Sequence, residues 1–219
     1  MHNFPWYKFY PKNVKTDIDV QEYSSVVNLF EESVKKFGSS VAYECMGKTI
    51  TFNEVDKLSK DFASYLQNHL KLKKGDRVAI QMPNCLQYPV AMFGILRAGM
   101  VVVNTNPLYT PTEMKHQFND SGASAIVILA NFACNLEKIY EEIETKHVIV
   151  TELGDMLGGL KGTIVNLVVK YVKKMVPAYN LPKALSWKKV MSLGAGSSYK
   201  REEMTLKDAA FLQYTGGTT

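Results

Sequence analysis

Hydrophobic positions along this chain follow two periods, one helical and one of strands. In residues 25–37 apolar side chains fall at Val26, Leu29, Phe30, Val34 and Phe37, the spacing of one helix face, and Gly38 follows as a stop. Short strand-like runs at 41–44 and 49–51 flank Met46-Gly47-Lys48, which predicts a β-hairpin. Asn53 is placed to cap a helix reaching about Leu70, with Val55, Leu58, Phe62, Tyr65 and Leu66 inward. A regular rhythm follows: strand 76–82 closed by Pro83, helix 88–98 ended at Gly99, strand 100–104, helix 107–119, strand 124–130, helix 132–145 and strand 147–153. Strands separated by helices of this length imply an α/β fold, a parallel sheet flanked by helices. Residues 1–25, aromatic and broken by proline, read as an arm that lays its rings on the domain surface.

Charge changes this picture in one place. The net charge is +5, yet residues 156–201 hold nine of the 26 basic residues and none of the 21 acidic ones, so the rest of the chain is net negative. Within that window, residues 163–176 divide along a helix. Asn166, Lys170, Lys173 and Lys174 take one side, and Ile164, Val165, Leu167, Val168, Tyr171, Val172, Met175 and Val176 take the other. Such a helix either lies in an anionic membrane interface or docks on the domain by its apolar face. Residues 186–191 predict a short helix, and 194–198 a flexible linker.

The three cysteines contain no CxxC and the four histidines have no metal-ligand spacing, which fits a reducing cytoplasm. The first residues lack a basic segment followed by an apolar one, and no run approaches the ~20 apolar residues of a membrane span. Gly154 to Gly162 lacks the lysine of a phosphate-binding Walker loop, and Gly194-Ala195-Gly196 lacks the third glycine of a dinucleotide fingerprint. No nucleic-acid motif is present, and no catalytic triad or carboxylate pair follows from spacing.

Candidate chemistry concentrates in the last residues. A strand-like run, 209–212, leads into Gln213-Tyr214-Thr215-Gly216-Gly217-Thr218-Thr219. Adjacent glycines admit a ligand close to the backbone, and successive N–H groups and hydroxyls form an anion-binding nest. In a parallel sheet, ligands sit beyond the carboxyl ends of the strands. Met82-Pro83-Asn84 is expected at one such end and this terminal loop at another.

Several segments in order carry a resemblance. Leu72 to Ile80 with Met82-Pro83-Asn84, Phe93-Gly94-Ile95-Leu96-Arg97-Ala98-Gly99, Asn106-Pro107-Leu108-Tyr109-Thr110-Pro111 and Asn119-Asp120-Ser121-Gly122-Ala123 resemble the adenylate-forming acyl-CoA synthetases, and within them the bacterial long-chain fatty-acid–CoA ligases. The terminal loop resembles their phosphate loop. The resemblance implies that a fatty-acid carboxylate attacks the α-phosphate of ATP, giving acyl-AMP, which coenzyme A then converts to the thioester. It places Tyr214, Thr215, Gly216, Gly217, Thr218 and Thr219 around the ATP phosphates and Thr215 at Mg2+. The chain would be the first part, 1–219, of the AMP-binding N-terminal domain, with a basic insert at 156–201. The rest of the phosphate loop, the catalytic residues and the C-terminal domain are absent from it, so it is expected to be inactive alone. An exposed sheet edge implies a homodimer. A non-catalytic module docked through the basic helix, or a ligase for another carboxylic acid, are the alternatives.

Overall fold

The structure, a computed structural model, describes residues 4–145 and 147–215. Its centre is a six-stranded, wholly parallel sheet. In chain order the elements are helix α1 (Val26–Phe37), hairpin strands β1 (Val41–Cys45) and β2 (Lys48–Thr51), and helix α2 (Phe52–Asn68). Then come β3 (Arg77–Gln81), α3 (Gln87–Arg97), β4 (Val101–Asn104), α4 (Pro111–Ser121), β5 (Ala123–Leu129), α5 (Ala133–Glu137) and β6 (His147–Thr151). The chain continues through α6 (Gly159–Leu167), β7 (Leu185–Ser186), α7 (Trp187–Ala195) and β8 (Phe211–Gln213). The sheet order is β7-β6-β5-β3-β4-β8, with β1 and β2 pairing apart as an antiparallel hairpin.

The strand period of two sorts the core into faces. Val78, Ile80, Val102, Val127 and Ile149 point toward α2, α3 and α7, where Trp187 stacks on Phe62 at 5.2 Å. Ala79, Val103, Ile126, Ile128 and Val150 point the other way, onto Met114 and Phe118 of α4 and Leu136 of α5. A smaller cluster joins Phe30, Ile50, Val55, Leu86 and Leu157 beneath α1 and the hairpin. Both faces of the sheet are thus covered, as a parallel sheet requires.

Several boundaries differ from the sequence expectation for identifiable reasons. Thr51, not Asn53, caps α2: its hydroxyl accepts from the Glu54 N–H while the Glu54 carboxylate accepts from the Thr51 N–H, a reciprocal capping box. The same device at Thr110 and Glu113 starts α4 at Pro111, four residues later than expected. The helix expected over 132–145 ends at Glu137, and further on Asn119 of α4 holds the chain: its amide donates to the Glu142 carbonyl and its oxygen accepts from the Glu144 N–H. In α1 the buried positions are Val27 and Phe30, and Val26, Leu29 and Phe37 stay exposed, since stacking of Phe30 on Phe93 at 3.8 Å fixes the helix rotation. Among the described residues the N-terminal rings pack on one another: Phe4 stacks on Trp6 at 4.6 Å, and Trp6 and Phe9 remain exposed. Gly194 lies buried inside α7, where a Cβ would fall 1.9 Å from the Asp61 carbonyl oxygen, so residues 194–198 do not begin as a flexible linker.

One polar contact sits inside this apolar packing. Arg97, fully buried at the end of α3, donates to Asp56 Oδ1 on α2 at 2.5 Å and lies 5.0 Å over the Phe30 ring of α1. Lys60 also donates to Asp56, at 2.8 Å. Burial alone raises the Asp56 pKa, but the hydrogen bonds from Lys60 and Arg97 outweigh it and hold the carboxyl below its ordinary range. Asp56→Ala strands the buried guanidinium and is expected to cost about 3–5 kcal/mol in urea unfolding at neutral pH. A lowered folded pKa contributes stability above the unfolded value of about 3.9 and loses it as pH falls through the folded one. The wild-type urea midpoint therefore drops below about pH 4 more steeply than that of Asp56→Ala.

Candidate functional site

The strand order reverses at β3. From β3 the chain moves to one side for β4, then crosses to the other for β5, β6 and β7, with α3 and α4 on opposite faces. Such a reversal opens a crevice at the carboxyl ends of the strands. Here β3 ends at Gln81, β4 at Asn104 and β8 at Gln213, side by side. Tyr214 therefore follows a strand end two strands from the one that Met82-Pro83-Asn84 follows, on the same rim.

This edge is built from amides and hydroxyls. The Tyr88 phenol on α3 donates to Asn104 Oδ1 at 2.8 Å, and Asn104 Nδ2 donates to Gln213 Oε1 at 2.9 Å. One line of hydrogen bonds thus joins α3, β4 and β8 immediately before Tyr214. Below it, the buried Gln117 of α4 donates to the Asn104 carbonyl at 2.8 Å, and the buried Gln81 donates to the Asn106 carbonyl at 3.2 Å. Asn106 Oδ1 in turn accepts from the Leu108 N–H at 2.9 Å, closing the turn after β4. Each buried amide fixes backbone, so the crevice floor is held by side chains that offer no acid, base or nucleophile. A groove of about 390 Å³ opens beside it, lined by Tyr43, Cys45, Asn84, Cys85, Tyr88 and Met92. Burial pushes the Cys85 thiol up to about 11, so it stays protonated at neutral pH and is no nucleophile.

Two of the six sequence-predicted phosphate-loop residues are described. Tyr214 turns its phenol onto α4 and donates to Asp120 Oδ2, which anchors the start of the loop to the scaffold. Thr215 is exposed. Gly216, Gly217, Thr218 and Thr219 lie outside the described residues. Among the described residues no group of three His, Cys, Asp or Glu could hold a metal. The sequence named Gln213 at the head of the terminal run, but gave Tyr88, Asn104 and Asp120 no part in the site. The available signal was a polar residue closing an apolar strand, Asn104 after Val101-Val102-Val103.

Burial, with the Asp120 carboxylate beside it, pushes the Tyr214 phenol up to about 12. A raised folded pKa contributes stability that is complete below the unfolded value of about 10 and is lost as pH rises through the folded one. Between about pH 10 and 12, the urea midpoint of wild type is therefore expected to fall more than that of Tyr214→Phe.

Similarity to known proteins covers nearly the whole chain. A long-chain-fatty-acid–CoA ligase of Escherichia coli O6:H1 is 54% identical over 214 residues, 98% of this chain and 38% of that relative. The ligase of the same description from Haemophilus influenzae is 51% identical over the same spans. The chain therefore spans 38% of the length of these curated relatives. Among solved structures, an anthranilate CoA ligase with anthranoyl-AMP superposes with a TM-score of 0.71 at 18% identity, covering 90% of this chain and 33% of that one. A long-chain-fatty-acid-CoA ligase from Archaeoglobus fulgidus gives 0.65 at 22% identity, covering 90% and 35%. At these identities the structures speak for the fold, which is thus that of the sheet-and-helix layers described above. The family model described as AMP-binding enzyme matches residues 30–219, and the chain belongs to that family.

Proposed function

We propose that the protein to which this chain belongs activates long-chain fatty acids, first to acyl-AMP with ATP and then to acyl-CoA with coenzyme A. The observation that carries this reading is the 54% identity to a long-chain-fatty-acid–CoA ligase across 98% of the chain. The chain is then the N-terminal portion of the AMP-binding domain, with residues 156–201 as a basic insert.

In this reading the loop from Tyr214 to Thr219 receives the ATP phosphates. Its work is electrostatic positioning: backbone N–H groups and hydroxyls meet charge that builds on the leaving pyrophosphate. The hydrogen bonds from Tyr88 through Asn104 to Gln213, and from Tyr214 to Asp120, hold the start of the loop while this happens. Mg2+, when bound with ATP, neutralises phosphate charge. The exposed Thr215 hydroxyl is a hard oxygen donor of the kind that ion takes, and we assign it there. The protein works in the cytoplasm and meets the inner face of the membrane peripherally. No described helix is long and apolar enough to cross a membrane.

The test is fatty-acid-dependent exchange of pyrophosphate into ATP, run on this chain and on a chain carried to the length of its relatives. Exchange is expected in the longer chain only, and Thr215→Val there is expected to lower it by roughly a hundredfold, the effect of losing one donor to developing charge. Exchange that ignores added fatty acid overturns the reading. We also propose a homodimer formed through β8, whose outer edge has no strand partner among the described residues. Sedimentation of this chain is expected to show a concentration-dependent dimer, and a monomer at every concentration counts against it.

A further inference from the structure

The amphipathic segment after β6 is docked the opposite way round from an ordinary surface helix. In α6 and the π-helical turn that extends it, Val168–Val172, the residues turned to the domain are Gly162, Val165, Asn166 and Val169, spaced i, i+3, i+4 and i+7. Gly162 lies against Gly154 so closely that a Cβ on it would meet the Gly154 carbonyl oxygen at 2.3 Å. Asn166 Oδ1 accepts from the Gly154 N–H at 2.7 Å, and its amide donates to Asp155 at 3.3 Å. At the near end Lys161 donates to the Met46 carbonyl of the hairpin turn at 2.6 Å. A glycine contact, an asparagine clamp and Val165 against the Phe30 cluster thus fasten the helix, and most of its large apolar side chains are left outside.

Those side chains form one stripe. Leu160, Ile164, Leu167, Val168, Tyr171 and Val172 are all exposed, Leu160 at 76% and Tyr171 at 64%. Lys170, Lys173 and Lys174 are exposed beside it, in a window with no acidic residue. A row of exposed aliphatic side chains with a tyrosine, bordered by lysines, is the pattern of a helix that lies in the headgroup region of a bilayer. The described helical run, residues 159–172, is about 21 Å long at 1.5 Å per residue, too short to cross and long enough to lie flat. A second copy is a poor occupant: two such stripes face to face bring lysines onto lysines with no acid between them.

We propose that this stripe is the surface by which the protein lies on a bilayer rich in anionic lipid, with Leu160, Ile164, Leu167 and Tyr171 inserted among the acyl chains and the lysines at the headgroups. The proposal sharpens the peripheral placement given above and is independent of the ligase chemistry, because vesicle binding is measured without nucleotide or fatty acid. The experiment is co-sedimentation of this chain with phosphatidylcholine vesicles, with and without phosphatidylglycerol. Binding is expected only where phosphatidylglycerol is present and should weaken with added salt. Leu167→Glu combined with Tyr171→Glu is expected to lower it at least roughly tenfold. Lys170→Gln with Lys173→Gln and Lys174→Gln is expected to lower it roughly a hundredfold. These positions are exposed, so the urea midpoint should not move, which separates lost binding from lost folding. Equal binding to vesicles of pure phosphatidylcholine, no binding at all, or variants that bind as well as wild type overturn the proposal. So does a chain carried to the length of its relatives that no longer binds, since the stripe is then an internal contact.

Discussion

A sheet made only of parallel strands governs the rest of this structure. Parallel neighbours cannot be joined by a tight turn, so every connection has to cross a face of the sheet. The crossings by α3 and α4 fall on opposite faces, and both faces are thereby buried. The same constraint sends every strand's carboxyl end to one rim. Gln81, Asn104 and Gln213 reach it together although they are far apart in sequence. The amides that end these strands take up two tasks there: Gln81 satisfies backbone that has left the ladder, and Asn104 and Gln213 bond each other across the rim. Topology thus gathers the polar strand ends on one rim.

Most of this was legible in the order of residues, and the exceptions have physical causes. Strands such as Val78-Ala79-Ile80 and Ala125-Ile126-Val127-Ile128 announce themselves because a sheet buried on both faces needs apolar residues without alternation. Helix starts were harder to place: Thr51 and Asn53 both carry a capping oxygen, and the reciprocal bond with Glu54 decides for Thr51. The break after Glu137 was not legible. Beyond it the chain is held by Asn119, a residue of α4 far back in the sequence. The rotation of α1 was hidden for a similar reason: the helix offers apolar residues on more than one side, and a partner ring on α3 chooses between them.

At the candidate site, the loop composition was readable and its supports were not. Tyr214 to Thr219 stands out by its glycines and hydroxyls, whereas Tyr88, Asn104 and Asp120 are ordinary residues until the fold brings them to the loop. The basic segment is a further case. Spacing divided it into a lysine side and an apolar side, yet Val165 and Asn166, from opposite sides of that division, turn to the protein together, and most of both predicted sides stays exposed. Gly154 and Gly162, conspicuous in the sequence for resembling a phosphate loop, set that orientation by bringing backbone against backbone.

That contact has a consequence for how the segment can change. Glycine against glycine, steadied by Asn166, Val165 and Lys161, holds the helix without using its outward row of apolar side chains. The outer row can accept replacements without disturbing folding, while almost none are open to the two glycines. Drift in sequence, natural or engineered, can then retune what the helix touches as freely as one changes the bristles of a brush whose handle is fixed.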